Sequence, residues 1–499
     1  MKRILFVLLA LAPSLWFVYI ARGVPHLGHF HDDGVYVGTA ASIAEGKGPR
    51  VESLPGEPFQ VRYPPLFPLY LAPGAHNEIV LAVLLALTMA GLLGAVYAWR
   101  TDPLLVVLCG WNAYAVLFAN SALSEVFGTI WLVLAVALLE RGRVGASALA
   151  SAAAYLTRTA LIIVPAGAVL WLLWRRRWKD ALRYGAVFAP AFLAWGYFVA
   201  THTEPGVTGT RAFYSDYSKF FGNNMSLDLL PTVVSTNIPQ LFAGAGGLLF
   251  FNGGDDFLEV NFARLLLFAA IAGIVRRART DGLGPFEIVA ALYCSALIVW
   301  NYIPQERFLF PILPLLAHGF LIEMRSFAVL LRASWVKQRG AAIVLGALAA
   351  AGLLWAAHRG VIAAWRLAPS IPKRYRPLLA EREQAFHWIR ANTPPEANFL
   401  AGEELSLRRA TGRHGIGFHF PTKLFYLNDS DGIFSYHRDI VSRMRSENLQ
   451  YLLIGPNDME LDLFPATREK VIAHWMAAPE LETVYESRLY RIRKLRSIQ

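Results

Sequence analysis

The chain has 499 residues, of which 55% are hydrophobic and only 17% are charged, and its mean hydropathy is +0.40. A soluble domain carries roughly 25% charged residues, so this composition excludes a wholly soluble protein and predicts that lipid surrounds most of the chain. The net charge of +11 is then typical of a membrane protein whose cytoplasmic loops follow the positive-inside rule, and it does not indicate nucleic-acid binding. The chain has only two cysteines, which excludes a disulfide framework.

Eleven apolar segments predict membrane-spanning helices. They lie at about 4–20, 77–98, 103–119, 123–139, 144–156, 159–174, 182–200, 258–275, 285–301, 306–323 and 340–357. With this number of crossings every basic cluster falls on one side of the membrane, which places the N-terminus in the cytoplasm. Loops 21–76 and 201–257 and the C-terminal tail are then outside. The apolar stretch 232–251, with Pro239 and three glycines, is predicted to be interfacial or re-entrant.

The tail differs from the rest of the chain in composition. About 27% of the residues from 370 onward are charged, against about 13% of those before it. The predicted fold is therefore a polytopic α-helical membrane domain over 1–368, followed by a small soluble α/β domain over 369–499. In this tail we predict helices at about 378–391, 434–447 and 466–477 and strands at 399–401, 451–454 and 482–491.

Two adjacent aspartates open a short helix in the first outer loop. Asp32 and Asp33 precede a helical pattern that continues to Glu45 and ends at Gly46 and Gly48. Asp32 is predicted as the N-cap, and Asp33 lies in the first turn, which favours anions. The pair fits either a carboxylate site near the lipid headgroups or a capped surface helix without catalytic function.

Three histidines lie beside these aspartates. His26, His29 and His31, with Asp32, offer metal ligands, but their spacing matches no strong metal motif, and imidazole at an interface also binds headgroups. We therefore predict no cofactor requirement, and whether a divalent metal binds here stays open.

The first outer loop ends in a proline-rich turn that begins with Arg62 and Tyr63. The prolines break the helix where the chain re-enters the bilayer. A guanidinium group at this point is suited to bidentate phosphate binding, or to anchoring the chain at the interface.

Three further polar residues fall at the predicted outer ends of spans. Glu125 lies between the third and fourth segments, Arg158 at the tip of the hairpin 144–174, and Arg307 at the start of the tenth segment. Ionisable residues at membrane depth are functional candidates, and an internal Glu–Arg pair is the alternative. Acids and arginines on one face suggest an anionic, phosphate-bearing substrate presented from the lipid.

The motifs, taken in order, resemble those of the bacterial GT-C glycosyltransferases, which include the protein O-mannosyltransferases and the lipid A aminoarabinose transferase. The matching motifs are Asp32-Asp33, Tyr63-Pro-Pro-Leu-Phe-Pro, Ser124-Glu125, Thr157-Arg158-Thr159 and Glu306-Arg307-Phe-Leu-Phe-Pro. The resemblance covers about residues 1–325. The sequence has Asp-Asp where the mannosyltransferases have Asp-Glu, and Tyr63 where the aminoarabinose transferase has a lysine. The resemblance therefore does not identify the acceptor of this chain.

The resemblance implies a membrane hexosyl or pentosyl transferase that uses a polyprenyl-phosphate-linked sugar. The reaction would occur at the periplasmic side of the bacterial inner membrane, and the acceptor would be a lipid, glycan or protein. The first acid of the pair, Asp32, would be the catalytic base. Arg158, Arg307 and Arg62 would stabilise the leaving phosphate, Tyr63 would contact the substrate, and Asp33 and Glu125 would orient hydroxyl groups. Direct attack would invert the anomeric carbon.

A transporter or lipid-carrier flippase is the rival interpretation. It explains the hydrophobicity equally well, but it predicts ionisable residues near the bilayer midplane and often an inverted repeat. Here the candidate residues cluster at the outer ends of spans, and no repeat is detectable.

Overall fold

The computed structural model describes residues 2–21, 30–207, 209–251, 256–456 and 464–496. By residue contacts the chain divides into two compact units. The first, here called the helical unit, comprises Met1–Arg22, Ala82–Trp195 and Val234–Ile371. The second, here called the sheet unit, comprises Gly23–Leu81, Gly196–Val233 and Pro372–Gln499, so the first outer loop and the first part of the second join the tail in one compact body.

The described residues are mostly helical. The first helices are α1 (Lys2–Ile20), α2 (Asp32–Ala44), α3 (Leu66–Leu71), α4 (Glu78–Trp99), α5 (Pro103–Gly110), α6 (Ala113–Ala119), α7 (Ser124–Glu140), α8 (Val144–Thr157), α9 (Ile163–Trp174), α10 (Trp178–His202), α11 (Gly209–Ser215) and α12 (Tyr217–Asn224). The others are α13 (Leu230–Leu249), α14 (Phe257–Asp281), α15 (Pro285–Ile298), α16 (Glu306–Leu309), α17 (Leu313–Lys337), α18 (Arg339–Ile362), α19 (Ala368–Asn392), α20 (Glu404–Thr411), α21 (Thr422–Tyr426), α22 (Ser430–Arg438), α23 (Ile440–Ser446) and α24 (Pro465–Ala477). Short 3-10 helices lie at Ala72–Gly74, Thr159–Ile162 and Phe310–Ile312, and a π-helical turn at Ala363–Leu367.

Within the described part of the chain, five helical segments are long and apolar enough to cross a membrane, namely Glu78–Trp99, Trp178–His202, Phe257–Asp281, Glu306–Ser334 and Arg339–Arg366. A sixth is added if α6 and α7, which meet at 109°, count as one span. Four shorter apolar helices accompany them, at Phe6–Ile20, Val144–Thr157, Thr159–Trp174 and Pro285–Ile298. The polytopic helical architecture is thus confirmed, while the number of eleven crossings stays a prediction.

Segment 103–119 differs in form from its prediction, while the interfacial or re-entrant placement of 232–251 stays a prediction. Segment 103–119 is broken into α5 and α6, because the Asn112 side chain caps the second helix by accepting a hydrogen bond from the Ala115 N–H at 3.0 Å. The stretch 232–251 lies largely in α13, where the buried Asn237 amide donates to the carbonyls of Leu297 and Trp300 at 3.0 and 2.8 Å.

Small residues allow close helix packing in the helical unit. A Cβ atom on Gly273 of α14 would collide with the carbonyl oxygen of Gly319 of α17, and one on Gly319 would collide with that of Ala270. Such small-residue contacts are typical of helix pairs in lipid, where no hydrophobic driving force brings helices together.

The tail forms a five-stranded sheet within the sheet unit. The strands are β1 (Asn398–Ala401), β2 (His414–Ile416), β3 (Tyr451–Ile454), β4 (Leu481–Glu486) and β5 (Arg491–Leu495), in the spatial order β2-β1-β3-β5-β4. β1 pairs in parallel with β2 and β3, whereas β5 pairs antiparallel with β3 and β4. Buried side chains of β1, β3 and β5 pack against α19 around Phe386 and Ile389.

The predicted single strand 482–491 is wrong, because the chain turns there. The Ser487 N–H donates to the Tyr490 carbonyl at 2.8 Å, which separates β4 from β5, and the Tyr490 ring is buried in the sheet core. The short strand β2 was not predicted.

Candidate active site

Asp32 is the first residue of α2 and is hydrogen-bonded to Tyr63. The Tyr63 hydroxyl donates to Asp32 Oδ1 at 2.5 Å. The Gln60 side chain shapes the turn that carries the tyrosine, because its Oε1 accepts the backbone N–H groups of Arg62 and Tyr63 at 3.0 and 3.2 Å. Burial raises the pKa of Tyr63 well above its usual value, so the tyrosine remains a hydrogen-bond donor at neutral pH.

The prediction that Asp32 is the N-cap of this helix is wrong. The N-cap is His31, which has the positive φ of 61° that is uncommon for residues other than glycine. Asp33 is fully buried and its Oδ1 accepts the Gly34 N–H at 2.7 Å. The two aspartates therefore have different surroundings although they are adjacent in sequence.

Arg62 lies among three aromatic rings. Its guanidinium carbon is 3.5 Å from the ring centroid of Phe213, 4.7 Å from that of Tyr217 and 4.8 Å from that of Tyr63. A cation over aromatic faces is attracted by their quadrupoles. The three rings therefore restrain the Arg62 guanidinium group next to Tyr63, the residue that donates a hydrogen bond to Asp32.

His31 belongs to a buried polar network that the sequence did not indicate. Its Nε2 lies 2.8 Å from Glu404 Oε1 and 2.7 Å from the Tyr214 hydroxyl, which also donates to Glu404 Oε1 at 2.9 Å. His419 Nε2 is 3.5 Å from the same hydroxyl. Glu404, Tyr214 and His419 are all buried. The residue before Asp32 is thus held by a glutamate from the tail and a tyrosine from the second outer loop.

Electrostatics favour a charged pair in this network. Burial lowers the pKa of His31, but the charge and hydrogen bond of Glu404 and the charge of Asp32 outweigh it, so the pKa is raised from 6.5. Burial likewise raises the pKa of Glu404, but the charge and hydrogen bond of His31 outweigh it, so this pKa is lowered from 4.5.

The histidine cluster considered for a metal is only partly within the structure. His26 and His29 lie outside the described residues, and His31 is bonded to Glu404 as stated. Among the residues that the structure describes, no group of three or more histidine, cysteine, aspartate or glutamate side chains could hold a metal ion.

Glu125, Arg158 and Arg307 meet in the helical unit. The fully buried Glu125 carboxylate accepts hydrogen bonds at Oε1 from Arg158 Nη1 at 2.6 Å and from Arg307 Nε at 2.5 Å. Both arginine side chains are largely buried, with 14% and 16% exposure. Charge-assisted bonds of this length are among the strongest in proteins.

Helix ends place these three residues. Glu125 lies in the first turn of α7, where a carboxylate is favoured by the helix dipole. Arg158 follows α8 with an extended backbone, φ −153° and ψ 122°, and Arg307 belongs to the four-residue helix α16. The structure thus brings together three of the residues that the sequence singled out.

An apolar cavity lies in the same unit. Its volume is about 420 Å³, and its lining includes Trp111, Tyr114, Leu248, Phe251, Phe320 and Gly247. A Cβ atom on Gly247 would meet Glu306 Oε1 at 2.5 Å, so α13 passes close to the residue before Arg307, and a larger side chain here would make the Glu306 carboxylate shift.

The predicted site residues therefore form two clusters, one in each unit. Asp32, Asp33, Arg62 and Tyr63 lie in the sheet unit, and Glu125, Arg158 and Arg307 lie in the helical unit.

No protein-family model and no curated protein sequence matches the chain. Among solved structures, it is similar to ArnT from Cupriavidus metallidurans bound to undecaprenyl phosphate, with 14% identity and a TM-score of 0.55 over 100% of this chain and 99% of ArnT. The apo state of ArnT gives 14% identity and a TM-score of 0.54 over 100% of both chains. The arabinofuranosyltransferase AftD from Mycobacteria gives 15% identity and a TM-score of 0.44 over 100% of this chain and 40% of that one. The chain therefore has the fold of ArnT, the lipid A aminoarabinose transferase, and the resemblance to GT-C glycosyltransferases is confirmed at the level of the fold.

Proposed function

We propose that this chain is a membrane glycosyltransferase that moves a hexosyl or pentosyl group from a polyprenyl-phosphate donor to an acceptor hydroxyl group with inversion. The acceptor is a lipid, a glycan or a protein. The observation that carries the proposal is the Asp32 carboxylate, held by Tyr63 at the start of α2, in a chain with the fold of ArnT.

In the proposed reaction, Asp32 accepts the proton of the acceptor hydroxyl group as its oxygen attacks the anomeric carbon of the donor sugar. A bond forms between this oxygen and the anomeric carbon, and the bond from that carbon to the phosphate oxygen breaks. The electron pair leaves with the polyprenyl phosphate. A neutral hydrogen bond from Tyr63 fixes the carboxylate without cancelling its charge.

The leaving phosphate gains negative charge, and arginines provide the donors that stabilise it. We assign this role to Arg158 and Arg307, with Arg62 as a further donor restrained by Phe213. Glu125 then acts mainly by holding both arginines, and Asp33 by holding the first turn of α2 or a sugar hydroxyl group. The donor carries a single phosphate group, so a metal is not obligatory for this step.

The apolar cavity beside Glu306 is the proposed site of the polyprenyl chain. Its aromatic and aliphatic lining suits an isoprenoid, and ArnT was solved with undecaprenyl phosphate bound.

For topology, we propose that the four shorter apolar helices also cross the membrane, that α5 and α6 together form one crossing and that α7 forms another. With the five long helices this gives eleven crossings. The N-terminus is then cytoplasmic, and the tail is periplasmic in a bacterial inner membrane. On this proposal residues 1–368 form the membrane domain and 369–499 a soluble domain. Attachment of a biotin reagent to single cysteines introduced in intact cells tests this directly. An introduced cysteine at exposed Leu427 should react from outside, and one at Arg279 should not.

The function is tested by mass spectrometry of lipids and glycans from a strain lacking the gene. We expect a polyprenyl-phosphate sugar to accumulate and one sugar to be missing from a glycan, lipid or protein. Unchanged lipids and glycans would contradict the proposal. Donor confined to the cytoplasmic leaflet would favour the flippase interpretation instead.

A further inference from the structure

The sheet unit contains a second cavity, here called the basic cavity. It has a volume of about 480 Å³ and lies against one face of α2, with Gly38 and Thr39 in its lining. Loop residues Glu52 and Ser53 and helix residues Arg408 and Arg409 of α20 complete it. Asp32, Arg62 and Tyr63 are not among its lining residues in the described part of the chain, so it is distinct from the proposed catalytic cluster.

Positive charge predominates around the basic cavity. The charged lining residues are Lys47, Arg408, Arg409, Glu45 and Glu52, with His76 beside them. Lys47 pairs with Glu45 at 2.8 Å, and Arg408 pairs with Glu57 at 2.6 Å. The Arg409 guanidinium donates to the Ala75 carbonyl at 2.9 Å and has no carboxylate within ion-pair distance among the described residues. The guanidinium group of this arginine is therefore not held in an ion pair, although the charges of Glu78 and Glu52 act on it from a longer distance.

Buried polar groups in the lining lack hydrogen-bond partners. Thr39 and Ser53 are each only 1% exposed, and neither hydroxyl oxygen has a partner within the described residues. The Glu52 Oε1 atom is in the same situation. A buried polar atom without a partner destabilises a protein, so three of them in one cavity indicate that a ligand or ordered water satisfies them.

Glu52 is suited to hydrogen bonding with an uncharged group. Burial, followed by the charge of Glu45, raises the pKa of Glu52 to about 7, so a large part of this side chain is protonated at neutral pH. A protonated carboxyl group both donates and accepts, as sugar hydroxyls do.

From these observations we infer that the basic cavity binds an anionic saccharide, a sugar that carries a phosphate or carboxylate group. The anion pairs with Arg409, and the sugar hydroxyls satisfy Thr39, Ser53 and Glu52. This inference stands independently of the proposed glycosyl transfer.

The position of the cavity indicates where the ligand comes from. His76 lies two residues before α4, which is long and apolar enough to cross a membrane. A saccharide headgroup of a membrane lipid could reach this end of the cavity, as could a free sugar phosphate. The two sources share the same chemistry and are separated by experiment.

The probe is glucose 6-phosphate, and its binding to the full-length protein in neutral-lipid nanodiscs is measured by saturation-transfer NMR. We expect glucose and inorganic phosphate each to bind at least about tenfold more weakly, since each retains only part of the contacts. Nanodiscs that contain phosphatidylinositol should displace the probe if the source is a lipid headgroup, and should not if it is a free sugar.

Matched variants tie the signal to this cavity. A Cβ atom on Gly38 would meet nothing within 4 Å, so Gly38→Leu should fill the cavity, keep the helix and abolish probe binding. Gly222→Leu, at an equally open helical glycine outside the cavity, should bind as the wild type does. Thr39→Val and Arg409→Gln should each weaken binding about tenfold. Probe binding unchanged in Gly38→Leu, or inorganic phosphate binding as tightly as glucose 6-phosphate, would overturn the inference.

Discussion

Two carboxylates, one in each unit, differ in what holds them. Glu125 in the helical unit accepts two guanidinium hydrogen bonds on one oxygen, whereas the carboxylate of Asp32 in the sheet unit accepts a hydrogen bond from the neutral Tyr63 phenol. Two cations neutralise a carboxylate and fix its neighbours, but a neutral donor orients it and leaves its charge available. The comparison suggests that Glu125 organises arginines and that Asp32 accepts a proton.

The largest expected effect is on the rate of the Asp32→Asn variant. The amide has nearly the shape of the carboxylate but cannot accept the proton, so kcat should fall about 10²–10⁴-fold with expression intact. Transfer of radiolabelled sugar by purified protein measures this loss. The matched control is Asp439→Asn, because the Asp439 side chain is 70% exposed, and its rate should equal that of the wild type. Full activity in Asp32→Asn would remove the base from the mechanism.

Removal of one arginine beside Glu125 should reduce stability. Arg158→Gln or Arg307→Gln removes a guanidinium hydrogen bond to the buried carboxylate, and losing a hydrogen bond to a charged group costs about 1.5–3 kcal/mol. Thermal unfolding without substrate measures it. Arg276→Gln, which removes an exposed partner of Glu323, should leave the unfolding temperature nearly unchanged, because an exposed ion pair contributes little to stability. Equal unfolding temperatures for the buried and exposed variants would contradict the organising role of Glu125.

Loss of the Tyr63 hydroxyl should have a smaller effect on catalysis. Tyr63→Phe removes a hydrogen bond to a charged group, worth about 1.5–3 kcal/mol, so kcat should fall roughly ten- to a hundredfold while the ring contacts with Arg62 remain. Steady-state kinetics test this, with Tyr97→Phe at an exposed position as the control. A change confined to KM would indicate that Tyr63 binds substrate without orienting Asp32.

The smallest predicted effect concerns the pH dependence of stability. Because the pKa of His31 is raised on folding, this residue contributes fully to the free energy of unfolding below pH 6.5. The contribution is lost as the pH rises through the raised pKa of the folded state. The lowered pKa of Glu404 means that its contribution is present above pH 4.5 and is lost as the pH falls. Stability from this pair should therefore be greatest between these values.

In the Glu404→Gln variant the loss of stability above pH 6.5 should be smaller than in the wild type. Without the glutamate charge, burial keeps His31 neutral, so it no longer releases a proton as the pH rises. The midpoint of thermal unfolding as a function of pH measures this, with exposed His387→Gln as a variant that keeps the wild-type profile. Identical profiles for wild type and Glu404→Gln would show that the two side chains do not titrate as a pair.

The sequence pointed to the candidate residues of the two clusters, but it did not reveal which distant residues surround them. Asp32, Tyr63 and the group formed by Glu125, Arg158 and Arg307 were recognisable because acids, arginines and prolines at the ends of apolar segments form local patterns. Glu404 and Tyr214 carry no such signal, since their contact with His31 depends on how distant segments fold together.

The same limit applies to the fold. Apolar runs predicted the polytopic helices, but the break between α5 and α6 depends on the side-chain cap of Asn112, and the β4–β5 turn depends on backbone pairing. The three-residue strand β2 is too short for its alternation to be detected, and it forms because β1 pairs with it.

The most direct test of the account is the fate of the donor with purified wild-type protein. Lipids that accumulate in the strain lacking the gene are supplied in proteoliposomes with membranes of that strain as acceptor, and the products are analysed by mass spectrometry. The account predicts free polyprenyl phosphate and a new glycosidic bond with inverted anomeric configuration. Donor that crosses the bilayer with its sugar still attached, and no release of polyprenyl phosphate, would contradict it.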